Sequence, residues 1–510
     1  MPSRKKGTIA LVITNYTSLA IVIVKGIMLV PLYLYYIDDR LYGAWLATGS
    51  IVAYFGLLDL GLNGVLVQRV ASTYGKGDIS RLGSILGTGL IIGLCLSCLP
   101  VFLAFLISPW ITGIVKVTGV ESGQLRLAFI IAGVGTSLML AMYCMGGMLT
   151  ALQRQVVHGV VLVVGNILGV VATLILLING YGLLSIPAGT LVWAIVSALG
   201  DGLYLWWFVR KKLPQVCVRF KKEEIRDLSL QSVWQFCSRS ASTTARESDN
   251  LIVAALLDPR LCTVLTLTKR ASDMLAMLVR HFAGAFLPSL AHLHGEDDRG
   301  KFKRIVFLLF KITSLFGVCF MGSCLFLNEN FVGLWVGSKF FGGYMLTALF
   351  CSYGFFFIFA SIFYNVIFAK GEMITVARTN IAEALIRVPL CIVLVMLWGI
   401  KGAAMSAVLA IIPTTFWMQA RRFVKVLNLS KYEIINSVKI IVLQVVVALI
   451  VGIIFNSIWK PEGIFEFISF GGLYMLTVFS ICLFLDTELR SKILDIQKRL
   501  FNRYLVKEIK

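Results

Sequence analysis

Apolar residues gather into fourteen long segments, at approximately 8–34, 41–67, 83–107, 126–150, 157–178, 182–209, 230–257, 261–290, 305–327, 341–368, 373–397, 400–420, 434–456 and 464–485. A helix needs ~20 apolar residues to span a bilayer, and most of these segments meet that length. The pattern predicts an all-α polytopic membrane protein of about fourteen transmembrane helices. Two segments are less uniform. Lys25 interrupts the first, and 230–257 holds Arg239, Arg246, Glu247 and Asp249 among serines and threonines.

Composition leaves no room for a soluble fold. The 510 residues are 58% hydrophobic and 14% charged, with a mean hydropathy of +0.87, against about 45–50% and 25% in ordinary globular chains. The charge is lopsided, 47 Lys and Arg against 26 Asp and Glu, net +21. In a soluble protein that balance would point to nucleic acid. Here its distribution gives another reading. With the N-terminus placed in the cytoplasm, the inside loops carry 30 basic residues and the outside loops 7. A missed or extra span would scramble that alternation. The split therefore predicts an even span count with cytoplasmic N- and C-termini, and no nucleic-acid partner. The first apolar run is too long for a signal peptide and reads as a retained span. Eleven cysteines is an odd count, so at least one is free. They read as small buried hydrophobes, including the Cys95-x-x-Cys98 pair inside an apolar helix.

The chain also repeats at an offset of about 220 residues. Asp38-Asp39-Arg40-Leu41 matches Asp258-Pro259-Arg260-Leu261. Gly75-Lys76-Gly77-Asp78 matches Gly295-Glu296-Asp297-Asp298, and Gly180 and Gly182 match Gly399 and Gly402. An even number of spans per repeat makes the halves parallel. The expected organisation is an N-lobe at 1–209, a cytoplasmic linker at 210–229, a C-lobe at 230–425, two further spans within 426–486, and a basic tail at 487–510. Ile493, Leu494, Leu500, Phe501, Tyr504 and Leu505 recur at helical spacing in that tail. It reads either as an amphipathic helix on the inner leaflet or as a solvated end.

Ten basic residues fall within the spans. An ionisable group in hydrocarbon costs roughly 2.5–3.5 kcal/mol on insertion scales, so such residues face protein or a water-filled cavity. The densest set lies in the seventh and eighth segments. Arg239 and Arg246 share a helix face with Asp249. In the next helix Lys269 and Arg270 precede Asp273, and Arg280 follows it with His281 adjoining. These stripes read as a cationic cavity wall or as a salt-bridge network between helices. The cationic surplus favours the cavity, with Lys25 at a matching depth in the first half. Glu383 and Arg387 stand four apart, a self-compensating pair that serves coupling or structure. Asp249, Asp273 and His281 are candidates for coupling or salt bridging. Asp59, Asn63 and Gln68 would cap or pin the second helix, with transport a further reading. Asp201 has no obvious local partner.

Of the four histidines, His292 and His294 share a loop with Asp297 and Asp298, which reads as a solvated polar loop before it reads as a metal site. No HExxH, phosphate-loop, G-x-S-x-G or paired-Asp motif occurs. No metal, cofactor or catalytic set is expected. With no ATPase domain, active transport would draw on an ion gradient.

Within residues 42–82 the sequence meets a recognisable pattern: Tyr42-Gly43-Ala44-Trp45, then Tyr54-Phe55-Gly56-Leu57-Leu58-Asp59-Leu60-Gly61-Leu62-Asn63, then Gly75-Lys76-Gly77-Asp78. It resembles the Wzx-type polysaccharide and O-antigen flippases of the multidrug/oligosaccharidyl-lipid/polysaccharide (MOP) superfamily. The span plan extends the resemblance over the whole chain. The resemblance implies a V-shaped, MATE-like transporter of two lobes, which moves undecaprenyl-diphosphate-linked sugars across the inner membrane by alternating access. Implied partners are the lipid-linked oligosaccharide, the bilayer, H⁺ or Na⁺ as coupling ion, and a glycan polymerase of the same pathway. Gly43, Trp45, Asp59, Gly61, Gly75, Gly77 and Asp78 are its structural positions. The cavity residues sit in no fixed motif and are not carried over.

Two other functions compete. A multidrug or organic-cation antiporter on the same fold should show an acidic cavity, whereas six acidic residues stand against ten basic ones within the spans. A membrane glycan polymerase or acyltransferase would need larger outer loops and a His-based catalytic set.

Overall fold

The computed structural model describes residues 4–284, 299–370, 372–486 and 490. Among these every regular element is helical. The helices are α1 (Arg4–Tyr36), α2 (Asp39–Phe55), α3 (Leu62–Lys76), α4 (Ile79–Ile114), α5 (Val120–Ala151), α6 (Gln155–Ile178), α7 (Ser185–Lys212), α8 (Lys222–Leu256), α9 (Pro259–Gly284), α10 (Arg299–Trp335), α11 (Tyr344–Ala369), α12 (Met373–Trp398), α13 (Ile400–Leu427), α14 (Lys431–Ile458) and α15 (Ile464–Leu485). A π-helical turn at Ile412–Phe416 lies within α13. The multi-pass all-α fold read from the hydropathy pattern therefore stands. The His292–Asp298 loop lies outside the described residues, and so does the basic tail apart from Arg490.

Ten of the described helices are long and apolar enough to cross a membrane: α4–α7 and α10–α15. The other expected spans are also helical. α1 runs for 33 residues, α2 has 17, and α8 and α9 carry the ionisable stripes. The expected segment 41–67 is not one helix. It breaks after Phe55, because Leu60 (φ 50°) and Gly61 (φ 77°) turn the backbone into the left-handed region. There Asp59 Oδ1 accepts from the Gly61 N–H at 3.1 Å and α3 restarts at Leu62.

By its contacts the chain divides into two compact units, residues 1–263 and 264–510. The division falls inside α9, later than the linker read from the sequence, and leaves α8 with the first unit. In that unit Leu66, Val70, Leu82, Ile85, Met148, Leu149 and Phe208 knit α3, α4, α5 and α7 into a core. Outward-facing α4 keeps Phe102, Phe105 and Trp110 exposed, as a surface solvated by lipid requires. Only residues 213–221 of the linker are irregular. They lie along α4, with the Arg219 N–H on Gly83 O at 3.3 Å and the Lys221 N–H on Thr88 Oγ1 at 2.9 Å.

In the second unit Phe302, Phe359, Phe363 and Phe423 pack α10, α11 and α13 together. The last two spans dock on α10 through Leu315, Val318, Val451, Phe470 and Tyr474. Ser314 Oγ donates to Gln444 Oε1 at 2.7 Å, and Lys311 meets Asp486 at 3.1 Å. Buried polar groups need such partners where water is absent.

Candidate functional site

The motif at 42–78 is mostly backbone punctuation. Gly43 lets α2 touch the start of α9: a Cβ there would lie 1.8 Å from the Pro259 carbonyl oxygen. Thr263 Oγ1 fastens the same contact by donating to Asp39 O at 2.9 Å, and Arg260 pairs with Asp39 at 3.2 Å. Trp45 is half-buried on α2, and Gly75 lies inside α3 with open space around it. Gly77 (φ 72°) ends α3, and the Asp78 side chain caps α4 by accepting from the Arg81 N–H at 3.0 Å. The matching positions 38–40 and 258–260 carry the same cap: Asp38 accepts from the Arg40 N–H at 2.9 Å, and Asp258 from the Arg260 N–H at 2.8 Å.

Asp59 does more than turn the chain. Its carboxylate receives Arg239 Nη1 of α8 at 3.2 and 3.0 Å. The Arg239 side chain is 51% exposed and Asp59 13%. One helical turn of α5 brings Tyr143 close to this pair. Farther along α8, Tyr54 of α2 lies beside Thr244, Glu247 and Asp249. Arg246 is half-buried with Nε toward Ser242 O at 3.4 Å, and Asp249 is buried. Lys25 is half-buried on α1. The first unit thus gathers a guanidinium, a carboxylate and two phenols around the break between α2 and α3.

The second unit holds the rest. Lys269 pairs with Asp273 at 3.6 Å and lies over the Phe350 ring at 5.8 Å. Arg270 is half-buried, and its Nε has no hydrogen-bond partner. Arg280 stacks on Phe357 at 4.2 Å, with His281 exposed beside it. Glu383 and Arg387 sit deeper. Arg387 is fully buried, 4.0 Å from Glu383, donating to the Tyr353 hydroxyl at 3.1 Å while lying over that ring. Thr415, in the π-helical turn of α13, donates to Glu383. Such turns place side chains where a regular helix would not. Among the described residues, no group of three or more His, Cys, Asp or Glu is placed to hold a metal ion.

A family model described as "Polysaccharide biosynthesis protein" matches residues 53–342, more than half of the chain. The chain belongs to the polysaccharide biosynthesis protein family. No curated protein matches it in sequence. Solved structures share its fold. A lipid II flippase MurJ in an inward closed conformation superposes with a TM-score of 0.70 at 14% identity, covering 93% of this chain and 98% of that one. An inward-facing MATE multidrug resistance transporter of the MOP superfamily gives 0.59 at 16%, covering 80% and 99%. An outward-facing MATE multidrug resistance transporter of the same superfamily gives 0.55 at 15%, covering 83% and 97%.

In this polysaccharide biosynthesis protein, sequence spacing alone does not name several of the pairings. Arg239 bonds Asp59, which lies 180 residues away. Asp201 meets His158, Nδ1 to Oδ2 at 2.7 Å. A signal for the second pair existed: His158 and Asp201 are lone ionisable groups near the same ends of consecutive apolar helices.

Proposed function

We propose that this protein is a flippase that moves polyprenyl-diphosphate-linked oligosaccharides from the cytoplasmic to the periplasmic leaflet of a bacterial inner membrane. The cargo class is the O-antigen or exopolysaccharide repeat unit carried on undecaprenyl diphosphate. The cycle is alternating access powered by an ion gradient, H⁺ or Na⁺, with a glycan polymerase of the same pathway downstream.

One observation carries the reading. Within an apolar, multi-pass member of a polysaccharide biosynthesis family, the polar helices α8 and α9 hold Arg239, Arg246, Lys269, Arg270 and Arg280. Guanidinium groups in a site of low dielectric suit a diphosphate, which they bind in bidentate fashion. A MATE-type antiporter for organic cations is disfavoured, because its cargo would need carboxylates. Four of the six acidic residues within the spans already face a basic partner: Asp59 faces Arg239, Asp201 His158, Asp273 Lys269 and Glu383 Arg387.

The test replaces Arg246, Arg270 and Arg280, each by Ala and by Lys, in a strain lacking its own flippase. Membrane expression is checked for every variant. The Ala variants should lose surface-glycan assembly, and Lys should restore part of it. Normal assembly by all three Ala variants would overturn the assignment.

A further inference from the structure

We propose that the pair formed by His158 and the buried Asp201 is a proton-binding site through which a proton gradient drives the transport cycle. The proposal rests on the transporter reading above and names its coupling ion.

From Leu127 to Val209 the chain carries only three side chains that are charged or readily titrated near neutral pH and are neither thiol nor phenol: Arg154, His158 and Asp201. Asp201 is the sole carboxylate between Glu121 and Glu223. It lies on α7 with no exposed surface, while the His158 side chain on α6 is 18% exposed. Their contact is 2.7 Å, and Asp201 Oδ1 accepts no hydrogen bond. A carboxylate inside an apolar bundle is costly unless its charge is balanced.

Counting protons shows what the pair does. With a neutral imidazole and an ionised carboxylate the pair carries one negative charge. One proton from hydronium, which leaves as water, makes the pair neutral. A second would give it a net positive charge. In low dielectric the neutral, one-proton state is the preferred one, so the pair exchanges a single proton. A contact that merely pinned α6 to α7 would not need ionisable groups on both helices. His158 sits in the first turn of α6, at the end the basic loops assign to the cytoplasm, and its partly exposed ring is the route to the buried acid.

The surroundings tie the pair to the ligand-facing charges of the same unit. α5 meets the His158 ring with bare backbone, since a Cβ at Gly146 would come within 2.2 Å of it. The next residue, Gly147, faces Asn63 of α3, whose Oδ1 accepts no hydrogen bond. One turn earlier on α5, Tyr143 stands by Asp59 and Arg239. The charged groups on the packed elements are few. Arg154 lies over Phe208 at 4.6 Å, Arg210, Lys211 and Lys212 end α7, α1 brings Lys25 along α6, and Asp59 and Arg239 stand beyond α5. α5 thus packs against the His158 ring and, one turn away, lies beside Asp59 and Arg239.

The experiment uses the full chain, with histidine labelled by ¹³C and ¹⁵N, in lipid nanodiscs. The His158 resonance, assigned by its loss in His158→Gln, should respond to a change of bulk pH, and Asp201→Asn should alter that response. In proteoliposomes, flipping of undecaprenyl-diphosphate-linked N-acetylglucosamine is then followed with and without an imposed pH gradient. The gradient should speed the wild type about tenfold and leave His158→Gln and Asp201→Asn without acceleration. The double variant His158→Gln/Asp201→Asn keeps a neutral hydrogen bond between the helices. A normal gel-filtration profile with no gradient response in that variant separates proton carrying from helix pinning. A full gradient response in the variants, or a His158 that never changes protonation, overturns the site. A titrating pair in a wild-type protein that flips nothing overturns the flippase reading and leaves the proton site standing.

Discussion

Arg239 and Arg387 each set a guanidinium toward a carboxylate in opposite surroundings, hydrogen-bonded to Asp59 at 3.0 and 3.2 Å in one case and 4.0 Å from Glu383 in the other. In the first unit Arg239 is 51% exposed and its partner Asp59 forms a turn between two helices. In the second unit Arg387 is fully buried, fixed by Glu383 and by the hydroxyl and ring of Tyr353. An exposed pair is worth about 0–1 kcal/mol, so an incoming anion displaces its carboxylate cheaply. A buried pair was desolvated on folding, and separating it leaves a bare charge with no water to receive it. On the function proposed above, the first is a place where an anionic ligand would trade partners, whereas the second is a fixed joint between α11, α12 and α13.

The sharpest way to break that contrast is Arg387→Ala. It strands Glu383 beside Thr415 alone and should cost about 3–5 kcal/mol, enough to remove most folded protein. Gel filtration and thermal unfolding in detergent read the loss. The double variant Arg387→Met/Glu383→Gln should recover much of it, because the uncompensated charge is gone. A single Arg387→Ala protein with unaltered profile and melting would make this pair as dispensable as an exposed one.

Arg239→Ala should do the reverse, leaving folding near normal and cutting glycan assembly about tenfold or more. Asp59→Asn sharpens the case further. It frees the guanidinium from its internal anion, so inorganic pyrophosphate should bind more tightly to the purified variant than to the wild type. Reduced melting in Arg239→Ala with unchanged assembly would place Arg239 with Arg387 as a structural residue.

These two pairs also mark how far the sequence was readable. Periodicity placed the helices well, because burial in lipid imposes long apolar runs. It failed at residues 56–61, where hydropathy stays high but Leu60 and Gly61 turn the chain. Averages of apolarity do not see backbone dihedrals, although the clustered glycines and Asp59 carried the signal. Glu383 and Arg387 were legible as a pair, since helical spacing fixes a contact at i, i+4. Arg239 was legible as an intramembrane cation but not as the partner of Asp59. That contact joins segments 180 residues apart, and only packing brings them together. The π-helical turn that delivers Thr415 to Glu383 was marked only by Pro413, whose missing N–H breaks the regular ladder and which hydropathy does not register.

The smallest expected effect concerns a partly exposed pair of the second unit, Glu372 with Arg422. Glu372 precedes α12, outside the membrane-spanning segments. The Arg422 guanidinium that donates to it at both Nε and Nη2 holds its carboxyl below the usual carboxylate range. A carboxylate whose folded pKa is depressed adds stability above its unfolded pKa, and that stability fades as pH falls through the folded pKa. Glu372→Gln should therefore melt slightly below the wild type near neutral pH, by about a degree. The gap should close as the buffer is taken below the ordinary carboxylate range, and high salt should narrow it as well. Melting curves of the two proteins at matched pH and salt check this. A gap that stays constant into acid would mean that Glu372 acts through packing, and would move this pair toward the Arg387 side of the comparison.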